Sequence, residues 1–265
     1  VVVSDLQTRN FPESGIVAWK ARGFTVKRTQ NIGHRQYGIL ATADSRRISI
    51  TDNIQVGVVV NNRSGTAGIS VADSAKAKAV IKRNVSVGWN LGIFLRESRG
   101  GLVQHNTVKG NCGGVLIFDD SNTEKPNQTG TVIGGAWTVK RNSSIANNRL
   151  CYAGRDGSLR VSGVGMAVVN ADRVKIIQNL IKDNRPVPNV DLNFPAAGLD
   201  ILTVPSPTGG PNPGPATKVS VISNRFVNNE PLDILVGPGT GPGNVFKKNS
   251  CGASNPPAIC APPTP

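Results

Sequence analysis

Arg96, Glu97, Asp119 and Asp120 are the residues of this chain whose types and spacing could do chemistry together. Glu97 stands five residues beyond Gly92 and Asp119 five beyond Gly114, so carboxylates recur at one phase of a repeat. Two carboxylates beside a guanidinium can supply an acid/base pair, with Arg96 or Arg99 as the neighbouring cation. Asp119 and Asp120 are also oxygen donors suited to Ca²⁺. Asp73 and Asn170 fall in the same column, and Asp44 lies one place off it. The structural alternative is a tight turn in which Asp and Ser bond backbone N–H groups, as the pairs Asp44-Ser45, Asp73-Ser74 and Glu97-Ser98 imply. A column that follows the repeat this closely is first of all turn chemistry.

The elements that must position these residues come from that repeat. A branched apolar residue stands three positions before a polar turn residue at Val26–Thr29, Ile50–Asn53, Ile81–Asn84, Val103–Asn106, Ile145–Asn148, Ile176–Asn179 and Val221–Asn224. In phase with it, a Gly opens an alternating apolar segment at Gly15, Gly38, Gly68, Gly92, Gly114, Gly165 and Gly198. From Asn84 to Asn106, where nothing is inserted, the period is 22 residues. That is too short for a helical hairpin repeat and right for one coil of short strands. Period-two segments such as Gly68-Ile69-Ser70-Val71 place Ile69/Val71, Ile93/Leu95 and Val115/Ile117 on one side. Asn tolerates the left-handed region of a sharp turn and can bond the Asn above and below it, so the Asn column is structural. Stacked at ~4.8 Å, about seven coils make a cylinder of roughly 30–35 Å.

The unit Gly-Ile-x-Leu…Ser…Ile-x-x-Asn-x-Val…Asn resembles the repeat of right-handed parallel β-helix proteins, a group of carbohydrate-binding proteins and sugar hydrolases. The resemblance covers roughly residues 15–236 and implies an all-β fold, a single-stranded right-handed parallel β-helix. The predicted organisation is a β-helix over residues 1–250 and a Pro-rich tail over 251–265. For function the resemblance implies carbohydrate, by binding or by catalysis, because the fold hosts both. Adjacent outward Asp residues on successive strands, a pattern of the β-helix hydrolases, are absent, as is the Asp-Pro-His sequence of the mannuronan epimerases.

Alternation gives the outward residues of the Gly strands: Val17/Trp19, Leu40/Thr42, Ser70/Ala72, Phe94/Arg96, Leu116/Phe118, Ala167/Val169 and Asp200/Leu202. Most are apolar, and only Arg96 and Asp200 are charged. Such a strip needs a cover. Roofing by inserted loops is the leading expectation, and Trp19, Phe94 and Phe118 stacking sugar rings is another, with Arg99 and Asp200 as charged contacts. The period is broken at about 57–66, 120–138 (with Trp137), 152–162, 185–196 and 204–216, inserts that would frame a groove along the Gly strands.

Lys and Arg outnumber Asp and Glu to give a net charge of +14. Basic pairs recur beside the turn column, at Lys27-Arg28, Arg46-Arg47, Lys82-Arg83 and Lys140-Arg141, and stacking would align some of them. An acidic partner follows, a polysaccharide or other anionic glycan. Single-strand nucleic acid is disfavoured because no aromatics interleave with the charge. No apolar run is long enough to span a membrane. Of the three pairings that four Cys allow, Cys251 with Cys260 would close a small loop and Cys112 with Cys151 would join neighbouring coils. An even count with local pairings favours an oxidising, secreted or periplasmic setting. The only Met is Met166, so Val1 is not a translation start, and an upstream segment or partner chain is expected to cover the first coil. The expected function is engagement of acidic polysaccharide or cell-wall glycan by binding. The alternative is a polysaccharide lyase or glycoside hydrolase using Arg96, Glu97, Asp119 and Asp120, with Ca²⁺ as its possible cofactor.

Overall fold

The computed structural model describes residues 1–63, 66–120, 134–153, 156–205 and 213–260. Three short strands per coil stack in register into three parallel sheets. The first sheet begins at Val2–Ser4, the second at Gln7–Arg9 and the third at Ser14–Trp19. The inward column of the first sheet runs Val3, Val26, Ile50, Ile81, Val103, Val139, Ile176, Val221 and Phe246, which makes nine coils among the described residues. The third sheet stacks Ile16, Ile39, Ile69, Ile93, Val115, Met166, Leu199 and Ile234 in the same way. Its ninth rung is Ser254–Asn255. Leu91–Gln104 is one continuous strand that leaves the third sheet in the fourth coil and enters the first sheet in the fifth.

The count of seven therefore becomes nine. Val3–Leu6 opens the series without a polar turn residue, and Phe246–Asn249 closes it with a residue that is not branched. One member was also misassigned. Val139–Asn142, not Ile145–Asn148, belongs to the column: Val139 pairs with Val103 and Ile176, whereas Ile145 lies in the second sheet opposite Lys109 and Lys182. Both tripeptides fit the pattern, and only the stack distinguishes them.

The Asn column forms a hydrogen-bonded ladder. The backbone N–H and side-chain Nδ2 of Asn84 both donate to Asn106 Oδ1 at 2.9 Å. Asn106 repeats this on Asn142, Asn142 on Asn179, and Asn179 on Asn224. The second Nδ2 hydrogen of Asn84 and Asn106 goes to the carbonyl of Ile50 and of Ile81, both at 2.9 Å. The residue before each Asn, such as Arg83 or Arg141, sits in the left-handed region with φ of 56° and 53°. A second ladder, Asn111–Asn147–Asn184–Asn229, closes the corner between the second and third sheets. The Gly column lies at this same corner. A Cβ on Gly114 would collide with Ser144 and with the Gly165 carbonyl, and one on Gly92 would meet Val108 at 2.8 Å and the Gly114 carbonyl at 2.7 Å.

In the first two coils His34 takes the place of a corner Asn. It is fully buried, accepts the Phe11 N–H at Nδ1 (3.1 Å) and bonds Thr8 Oγ1 at Nε2 (2.8 Å). Burial holds its pKa below the ordinary 6.5, against a smaller opposing hydrogen bond. The unfolded chain therefore binds more protons below 6.5, so stability is full above that pH and falls as the solution is acidified. An NMR titration should place the His34 midpoint below 6.5, and a midpoint above it would refute this assignment.

Candidate functional site

The outer face of the third sheet is covered, not grooved. The antiparallel hairpin Cys151–Ala153/Leu159–Val161 folds over it, tied down by the Cys112–Cys151 disulfide. Val161, Val164, Ala167, Val169 and Leu202 pack beneath, joined by Val59, Phe194 and Val204 from the other inserts. The expected roof is thus the cover, and residues from the inserts near 57–66, 152–162, 185–196 and 204–216 build it. Trp137 belongs to no insert: it lies in the strand Gly135–Lys140, fully buried, donating to the Ser98 carbonyl at 2.9 Å. Residues 121–133 and 206–212 of the remaining inserts lie outside the described residues.

Roofing changes the status of several residues. Phe94 is buried with Tyr37 and Ala67, and its ring stacks on half-buried Phe118 at 6.4 Å, so these two cover one another. Trp19 remains open at 66% exposure on the first coil, beside Val17. Asp200, expected as a charged contact, is fully buried between the rungs of Ala167 and Leu235, and neither carboxylate oxygen has a hydrogen-bond partner among the described residues. Desolvation pushes its pKa well above the ordinary 3.8.

Arg96 gathers three carboxylates at the edge of the third sheet. Its Nε donates to Asp120 Oδ2 at 3.1 Å, and its Nη2 lies 3.4 Å from Glu97 Oε2 and 4.0 Å from Asp73 Oδ1. Asp73 and Glu97 take left-handed φ values of 46° and 45° at equivalent corners. Asp73 also accepts from Thr42 Oγ1 at 2.9 Å. Asp119 is separate from this group: it is fully buried, and its Oδ2 accepts the Gly134 N–H at 2.8 Å. Ser45 and Ser74 donate to the carbonyls of Thr42 and Ala72 at 2.6 and 2.7 Å. These are local turn contacts, but to carbonyls rather than to the N–H groups expected; bonds of the expected kind are Gly134 N–H to Asp119 and Ala21 N–H to Ser45 Oγ at 2.9 Å. Arg99 pairs with Asp172 at 2.6 Å, as does Arg173. Burial pushes the Asp172 carboxyl up, but the two arginines outweigh it and hold it below its ordinary value. Among the described residues no three His, Cys, Asp or Glu side chains are grouped to hold a metal ion.

The first sheet is the contrast. None of its outward residues is buried, and the strand segments paired in it carry no Asp or Glu among the described residues. Lys27, Lys82 and Lys140 project from it, and no ion pair to a carboxylate engages them among the described residues. Alternation along single strands hid this face, because its cations come from separate coils.

The sequence profile of a family described as periplasmic copper-binding protein (NosD) matches residues 1–198. The chain belongs to the NosD family. Among solved structures, the periplasmic alginate epimerase AlgG superposes with a TM-score of 0.62 and 16% identity, over 89% of this chain and 47% of its own. A point mutant of AlgG gives 0.63 and 18%, over 88% and 46%. The A-module of the Azotobacter vinelandii mannuronan C-5 epimerase AlgE6 gives 0.48 and 16%, over 94% and 51%. The chain spans about half the length of the epimerase structures it matches. At this identity the AlgG likeness carries the right-handed parallel β-helix fold and no more. No curated protein sequence matches the chain. Two disulfides and membership of a periplasmic family place this NosD-family chain outside the cytoplasm. No helix among the described residues is long and apolar enough to cross a membrane.

Copper, named in the family description, calls for imidazole, thiolate or thioether donors. All four cysteines are in disulfides, Met166 is fully buried in the core, and both His34 ring nitrogens are engaged. That leaves His105, beside Gln104, as the imidazole open to solvent. The donor set of this NosD-family chain does not fit a copper centre of that kind.

Proposed function

We propose that this NosD-family chain is an extracytoplasmic β-helix that binds an acidic polysaccharide and does not cleave it. The observation that carries the reading is the first-sheet face: open, free of acids in its paired strand segments, and bearing Lys27, Lys82 and Lys140. A cationic face with low-lying polar neighbours attracts a polyanion without needing a pocket. The third sheet supports the reading by contrast, because the roof over Val169 and Leu202 and the mutual packing of Phe94 and Phe118 interrupt any groove along the Gly strands among the described residues. The relatives in structure are alginate epimerases, proteins of a uronic-acid polysaccharide, and this agrees with an anionic glycan as ligand.

A second reading, catalysis at Arg96, is favoured by the three carboxylates within 4.0 Å of one guanidinium. One experiment separates the two. Wild type and a Lys27→Gln/Lys82→Gln/Lys140→Gln variant are incubated with polyuronates and neutral glucans, with and without Ca²⁺, while co-sedimentation, reducing ends and unsaturated products are followed. Binding to polyuronate that weakens with salt and drops about tenfold or more in the variant is the expected result. Product above a heat-denatured control would transfer the function to Arg96, Glu97 and Asp120, and retention unchanged in the variant would remove the first sheet from consideration.

A further inference from the structure

Three of the basic pairs, Lys27-Arg28, Lys82-Arg83 and Lys140-Arg141, occupy the same two positions in the second, fourth and sixth coils. The register runs Lys27, Thr51, Lys82, Gln104, Lys140 up the outer face of the first sheet. Even coils carry a lysine, and odd coils carry a neutral side chain able to donate and accept hydrogen bonds. The pattern then stops, because Ile177 and Ile222 fill the position in the seventh and eighth coils. It resumes out of phase at Lys247 in the ninth.

In two of the three pairs a carboxylate answers the arginine. Arg28 is bound to Asp5 at 2.7 Å and Arg83 to Asp52 at 2.6 Å, each one coil below, while Arg141 bonds Gln178 one coil above at 3.1 Å. Hydrogen bonds from these arginines hold Asp5 at about 2 and Asp52 below its ordinary value. The corner beside the face is braced at all three arginines and neutralised at Arg28 and Arg83, while Arg141 keeps its charge beside Lys140. On the face itself the lysine column and exposed Lys175 of the seventh coil have no ion pair among the described residues. Rungs at ~4.8 Å give the column a period of about 9–10 Å along the stack axis.

We propose that this column reads an extended polyanion lying along the stack, with charges recurring on one edge at about 9–10 Å. A flat β-1,4-linked polyuronate has this property, since each sugar is turned over relative to the last and every second carboxylate faces the same edge. The sugars between place their hydroxyls against Thr51 and Gln104. A nucleic-acid strand, with a phosphate every ~3.4 Å, would leave most of its charges unmatched. The inference rests on the reading of the first sheet as a polysaccharide face and adds its register and the polymer's shape.

The test moves one charge by one rung. Thr51→Lys/Lys82→Thr keeps the net charge and breaks the alternation, and Lys109→Gln on the second sheet controls for charge alone. Binding of the full chain to β-1,4-linked mannuronate and α-1,4-linked galacturonate oligomers of equal length is measured by calorimetry, with urea midpoints to confirm folding. Wild type is expected to prefer the flat mannuronate, with affinity rising up to about five sugars, the shortest oligomer carrying three same-edge carboxylates. The charge-shifted variant should lose about tenfold on mannuronate and Lys109→Gln less than twofold. A charge-shifted variant that binds as wild type, or equal affinity for the two polymers, overturns the register and leaves the basic face standing. A wild type that binds neither polyuronate overturns both.

Discussion

Asp200→Asn is expected to stabilise the protein, by an amount that grows as the pH rises. Asp200 is fully buried under the roof, neither of its oxygens has a hydrogen-bond partner among the described residues, and desolvation raises its pKa well above 3.8. With the native pKa raised, the folded state holds a proton that the unfolded state gives up. Stability is therefore full below 3.8 and declines as the pH climbs from there through the folded pKa. The slope is about 1.4 kcal/mol for each pH unit within that window. Asparagine keeps the shape and cannot ionise, so the two proteins should unfold alike near pH 3.8 and diverge above it. Thermal melts across the pH range measure this directly. Parallel curves for wild type and variant would mean that Asp200 finds water or a partner, and the roof would have to be redrawn.

The opposite sign is expected for Asn106→Ala. Asn106 Oδ1 accepts from the backbone and side chain of Asn84, and its Nδ2 donates to Asn142 Oδ1 and to the Ile81 carbonyl, all between 2.9 and 3.0 Å. Alanine removes these four bonds in a buried corner and gives the stranded groups no access to water. At about 1 kcal/mol for each net bond the loss is ~4 kcal/mol, near the upper end for a single substitution. It also falls in the middle of a structure whose strands pair only with those of adjoining coils, so the strand stack should lose cooperativity there, held across the gap only by insert contacts such as Asn62 to Tyr152. Urea unfolding read by two probes tests this: a midpoint within experimental error of wild type would make the ladder decorative.

Most of the fold was legible in the sequence for the reason these predictions are strong. Asn106 and Gly114 are fixed by sterics and hydrogen bonding that no other side chain satisfies, so their types recur at the period of the coil. The second ladder carried the same signal, since Val108–Asn111 and Ile181–Asn184 have the spacing of Val103–Asn106, but it shares its residues with overlapping frames. That overlap is why Ile145–Asn148 fits the pattern as well as Val139–Asn142 does. The site was less legible. Alternation correctly puts Phe94 and Asp200 on the outer side of the third sheet, yet what lies above them depends on inserts folding back from Val59, Tyr152 and Phe194. The lysine column was visible only as scattered basic pairs. Its alternation needs the coil number of each lysine, and unequal coils, 22 residues from Asn84 to Asn106 but 36 from Asn106 to Asn142, conceal that number.

The coil between Asn84 and Asn106, 22 residues without an insert, makes the protein a ruler that can be lengthened. Duplicating residues 85–106 would present the same Asn to the ladder above and below, and the same Gly to the adjoining corner, so a ten-coil version keeps both at its new joints and strains only the insert contacts that cross them, such as Asn62 to Tyr152. It would add one rung of ~4.8 Å between Lys82 and Lys140, turning an even interval into an odd one without touching either lysine. Surface spacing in such a molecule is counted in whole coils. A family built this way can retune the pitch of a charged edge by gaining or losing a single repeat, a change in length that leaves the composition of every coil as it was.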